Sequence, residues 1–112
     1  MVKAGSIRSN VPQAALPEEL VDVLLARPGL RIERIVSTGQ VTRQGTWYDQ
    51  DTDEWVLVVA GAARLRIESE DADRELSAGD WLLLPAHCRH RVTWTASDPP
   101  TMWLAVHFAN EA

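Results

Sequence analysis

The stretch GDWLLLPAHCRHRVTW, residues 79–94, carries both the fold and the chemistry of this chain. WLLLPA reads as a strand entered from the turn Ala78-Gly79-Asp80, and RVTWT as a second strand leaving a crowded turn after Pro85. His87, Cys88 and His90 fall within that turn and the start of the second strand. With a period of two, His90, Val92 and Trp94 share one face, and Arg91 and Thr93 take the other. His90 is therefore expected to face whatever Trp94 faces.

Working outward, the same short-strand pattern repeats: RIERIVS, VTRQGTWYD, EWVLVVAG, ARLRIE and finally MWLAVHF. Turn residues separate these segments and no helical pattern lies between them, so the chain after Arg31 is expected to be all-β, an antiparallel barrel or jelly roll of roughly eight strands. The acidic ESEDADRE reads as a solvated hairpin turn. Before Arg31 the pattern changes. In LPEELVDVLLARPG, Leu16, Leu20, Val23 and Leu24 stand at helical spacing, with Pro17 in the first turn and Pro28-Gly29 at the end. A short amphipathic helix is predicted there, within an N-terminal segment 1–30 that precedes a barrel over 31–112.

The chain is 112 residues long, 46% hydrophobic and 24% charged, which describes one ordinary domain. A formal charge of −5, with eleven scattered Lys and Arg, argues against nucleic acid, since phosphates demand clustered cations. One cysteine excludes an internal disulfide, MVKAGSIRSNVPQ lacks the apolar stretch of a signal peptide, and no apolar run approaches the ~20 residues of a membrane span. A cytoplasmic protein is expected. Five tryptophans lie in the β half, more than one small barrel readily buries, so a cavity and a homodimer interface are both expected.

YDQDTDE, residues 48–54, begins like a calcium loop but has Glu54 where glycine is needed and Ala60 where the closing acid belongs, so that reading fails. Glu54 instead opens a strand, WVLVVA, whose two faces are both apolar; a carboxylate there needs a cation or a donor. The opening stretch offers donors. His87-x-x-His90 is no zinc motif alone, because structural zinc takes four ligands. Cys88 reads as an inert thiol rather than a nucleophile.

Together the two blocks resemble the paired motifs of the cupin superfamily, G-x5-H-x-H-x3,4-E-x6-G and G-x5-P-x-G-x2-H-x3-N. Glu54 followed after six residues by Gly61 matches the end of the first; Gly79, Pro85 and His90 match the second in spacing. The resemblance covers about residues 31–108 and implies a β-barrel holding a divalent metal on three histidines and one glutamate. This chain departs from that set. Tyr48 and Gln50, or Trp47 and Asp49, stand at the two histidine positions of the first motif, His87 replaces glycine in the second, and Trp94 replaces asparagine. Only Glu54 and His90 carry over. His107, which shares a face with Trp103 and Ala105 in MWLAVHF, and His87 or Gln50 are the candidates to complete a site for iron, manganese, nickel or zinc.

Function then divides into classes. The leading reading is a small cupin whose cavity, built around Glu54 and His90, binds a divalent metal or a small molecule, with Tyr48, Trp94 and Trp103 lining a ligand pocket. The alternatives are a metal-dependent oxygenase, isomerase or lyase acting on a small substrate, and a non-catalytic dimeric interaction module.

Overall fold

The segment read as a helix is a strand. In the computed structural model, which describes residues 1–12 and 14–109, LVDVLLAR forms β1 (Leu20–Arg27) and pairs antiparallel with β2 (Leu30–Ser37). The reason lies in Pro28-Gly29. Proline's fixed φ followed by Gly29 at φ 74° gives a two-residue reversal, so what looked like a helix stop is a hairpin turn. Val21 and Val23 favour strand, and a bulge at Leu24 breaks the alternation that would have shown it. Residues 110–112 of the expected 31–112 unit lie outside the described residues.

The remaining elements are β3 (Thr52–Ala60), β4 (Ala62–Ile67), β5 (Arg74–Ser77), β6 (Trp81–Leu84), β7 (His90–Thr95) and β8 (Thr101–Ala109). VTRQGTWYD is not a strand: Thr46 N–H closes a turn on Arg43, and the segment meets β7 at isolated points, Thr42 N–H donating to the Val92 carbonyl and Tyr48 bridging to His90. β5 has the one buried residue Leu76 among exposed neighbours, too weak an alternation to announce itself.

Two antiparallel sheets result, ordered β1-β2-β8-β3-β6 and β5-β4-β7. This is the all-β jelly-roll architecture expected. Val56, Val58, Leu65, Leu84, Trp103 and Ala105 form the core between them. Trp103 is the one tryptophan in that core, and its Nε1 donates to Ser37 Oγ at 3.2 Å. Trp81 and Trp94 are exposed. Gly61 joins β3 to β4 at φ 82°, and a Cβ there would lie 2.7 Å from Thr101 Cα, so the strands can meet only at glycine.

On the outer side, buried Arg34 donates to Asp22 Oδ2 at 2.9 Å and to the carbonyls of Ile7 and Ser9. The guanidinium thus ties the N-terminal segment to its own sheet. Among the described residues no helix is long and apolar enough to cross a membrane.

Candidate functional site

A cavity of about 210 Å³ lies between the five-stranded sheet and the three-stranded one. Alternation sets its walls: β2 supplies Glu33 and Ile35, β3 Glu54 and Val56, β7 His90 and Val92, β8 Trp103 and His107. The exposed members of the lining, Glu19, Val21, Arg31 and Tyr48, mark its mouth.

His90 is 6% exposed, with one nitrogen hydrogen-bonded and the other facing a carboxylate. Nδ1 donates to the Cys88 carbonyl at 2.8 Å. A carbonyl can only accept, so Nδ1 holds a proton and Nε2 is the nitrogen that gains or loses one. Nε2 faces Glu54 Oε1 at 3.6 Å, an ion-pair spacing longer than a hydrogen bond. Burial works against the imidazolium, but contact with Glu54 and the Cys88 carbonyl outweighs it and holds the pKa above the ordinary 6.5. The Tyr48 ring lies 5.5 Å from that of His90, centroid to centroid.

His107 is equally buried and sits beside Glu54 from the opposite side, Nε2 to Oε2 3.9 Å. Its close partner is Glu33, at 3.0 Å. The cavity wall therefore carries a chain of alternating charge type, Glu33, His107, Glu54, His90. Glu33 was missed in the sequence. Its signal was the alternation Arg31, Glu33, Ile35 in RIERIVS, which puts a carboxylate on the face of an apolar position.

Glu54, His90, His107, Gln50, Tyr48 and Trp103 all line the cavity. Two candidates do not. His87 is exposed outside the cavity, its Nδ1 2.9 Å from Asp49 Oδ1. It stands at φ 63°, the left-handed conformation for which the cupin motif uses glycine. Trp94 points outward beneath the Arg64 guanidinium, 5.4 Å from its ring centroid, because the β4–β7 register shifts at Thr93. That bulge reverses the parity, so His90 and Val92 face in while Trp94 faces out. Burial pushes the Cys88 thiol pKa up, in keeping with an inert thiol.

Cupins often hold a metal, so the donor set is worth testing for one. Tight transition-metal sites take three or four protein donors. Only Glu54 and His90 have spare donor atoms facing each other here, since His107 Nε2 is taken by Glu33; among the described residues no three His, Cys, Asp or Glu gather as a metal set. The residues present do not make up a metal centre in this arrangement.

A family model described as a cupin domain matches residues 35–107. No curated protein matches the sequence. Among solved structures, the chain is 50% identical to a Ralstonia eutropha protein provisionally named mannose-6-phosphate isomerase, with a TM-score of 0.94 over 97% of this chain and all (100%) of that one. A cupin superfamily protein of Desulfitobacterium hafniense shares the fold at 16% identity, TM-score 0.77, covering 98% and 94% of the two chains. KdgF of Halomonas sp. does so at 24% identity, TM-score 0.67, covering 88% of each. Motif spacing, two facing antiparallel sheets and the family match agree, and the chain belongs to the cupin family.

Proposed function

We propose that this cupin binds a small polar molecule in its cavity and moves protons on it, with Glu54 and His90 as the acid–base pair. The observation that carries this reading is the buried His90, fixed through Nδ1, with its open nitrogen 3.6 Å from a buried carboxylate. A substrate group seated against the pair in the cavity comes within reach of both at once. The cavity, smaller than the ~300 Å³ where drug-sized pockets begin, suits a small ligand.

The reaction class is isomerisation of a hydroxycarbonyl compound, the class named for the Ralstonia protein. Ionised Glu54 takes the proton from the carbon beside the carbonyl, and protonated His90 gives one from Nε2 to the carbonyl oxygen. The resulting enediol is reprotonated at the neighbouring carbon by Glu54 as His90 recovers its proton from the other hydroxyl. Atoms balance and no external oxidant is needed. Glu33 and His107 hold the far side of Glu54. A single cysteine kept as a thiol suits the reducing cytoplasm, which belongs to the same proposal.

The test is hydrogen exchange. Incubated in D₂O with small hydroxyaldehydes and hydroxyketones, the protein should bring solvent deuterium into the carbon beside the carbonyl, and Glu54→Gln and His90→Ala should abolish it. No exchange with any of them would leave a binding module. Elemental analysis of the same preparation separates the competing outcome: one iron, manganese, nickel or zinc per chain, lost in both variants, would make the pair metal ligands instead.

A further inference from the structure

The cavity also has a charge preference, and this inference rests on the reading of the cavity as the ligand site. Glu19, Glu33 and Glu54 line it, against the single fixed cation Arg31. His90 and His107 add at most one charge each. With the carboxylates ionised, the wall is therefore neutral or negative whatever the histidines hold, and never positive.

The cations present are also committed. Arg31 Nε lies 3.0 Å from Glu33 Oε2, His107 Nε2 3.0 Å from Glu33 Oε1, and His90 Nε2 3.6 Å from Glu54 Oε1. Glu19 is different. Among the described residues it has no cationic partner, and its one side-chain contact is the Ser37 hydroxyl, donating at 3.5 Å. Burial raises its pKa, the Ser37 hydrogen bond opposes this, and repulsion from Glu33 adds to the rise. Tyr48 lines the same cavity, its ring at the mouth. A carboxylate short of a cation and an aromatic face on the wall of one cavity together suit an ammonium group.

We infer that the cavity selects a small hydroxylated molecule carrying an ammonium group, seated at the mouth between Glu19 and the Tyr48 ring, over a phosphate ester. A dianionic phosphate would meet three carboxylates with no uncommitted arginine to receive it. The phosphate in the Ralstonia protein's provisional name thus does not transfer to this chain with the isomerase chemistry.

Three matched hexoses test it: D-mannose, D-mannose 6-phosphate and D-mannosamine, titrated calorimetrically into the full chain at neutral pH. The amine should bind at least about tenfold tighter than the phosphate ester, and Glu19→Gln should remove about tenfold of the amine's affinity and cost the uncharged mannose clearly less. Equal or tighter binding of the phosphate ester overturns the inference, as does an amine affinity unmoved by Glu19→Gln or no binding by any of the three. The two proposals fail separately. Phosphate preference with deuterium exchange intact sinks this inference alone; amine preference without exchange sinks the isomerase reading alone.

Discussion

Glu54 and His107 stand directly opposite each other in the β3–β8 ladder, yet His107 gives its Nε2 to Glu33, at 3.0 Å against 3.9 Å to Glu54. Glu33 thereby draws an imidazole away from the carboxylate that the cupin resemblance makes a metal ligand.

Removing Glu33 should therefore change what the cavity can hold. In Glu33→Ala, His107 is left with Glu54 as its nearest acid, and two imidazoles and one carboxylate can converge, the minimum for a metal site. The variant is expected to bind Zn²⁺ stoichiometrically in a calorimetric titration, at least about tenfold tighter than the natural chain, the range a change in supporting contacts produces. Equal affinity would mean that Glu33 does not withhold His107.

The second prediction concerns pH. The pKa of His90 is raised above its ordinary 6.5 when folded, so its protonation stabilises the fold fully below about pH 6.5, provided Glu54 remains ionised. That contribution is lost as the pH rises through the folded value. The urea midpoint of the natural chain should thus exceed that of His90→Asn most at pH 6, with the gap shrinking toward pH 9. A gap that widens with pH would reverse the sign of the coupling.

At the 85–88 turn, His87 holds φ 63° and its ring is exposed against Asp49. A left-handed residue with a Cβ is strained by about 1 kcal/mol, while an exposed ion pair contributes about 0.2–1 kcal/mol. His87→Gly should accordingly be near neutral, and His87→Ala, which keeps the strain and loses the pair, about 1 kcal/mol less stable than His87→Gly. Paired denaturation curves measure this; alanine at least as stable as glycine would contradict it.

How far the sequence could be read follows from which signals are local. EWVLVVAG and MWLAVHF are long, strongly apolar strands, and their pairing sets Glu54 opposite His107. Gly79, Pro85 and His90 kept motif spacing and delivered His90 to the same cavity. What misled was single-residue slippage. The bulge at Thr93 turned Trp94 outward, and the bulge at Leu24 disguised a strand that only pairing with β2 stabilises. Glu19 was illegible for another reason: it is one more acid in a polar context until tertiary packing sets it beside the cavity.

The last prediction is association. β6 ends the five-stranded sheet, hydrogen-bonded to β3 on one side only, and its outward residues Trp81 and Leu83 are 57% and 53% exposed. Trp55 lies beside them, its ring 6.0 Å from that of Trp81. An open strand edge next to an apolar patch is a surface that proteins ordinarily cover. We propose that a second copy covers it about a twofold axis, the commonest closed arrangement, which places β6 against β6. Light scattering at micromolar concentration should give the mass of two chains. Leu83→Glu sets like charges against each other across that axis and should give the mass of one chain, with an unchanged strand-type circular dichroism spectrum. If the natural chain itself scatters as a monomer, or if Leu83→Glu remains a dimer, the β6 face is not the interface.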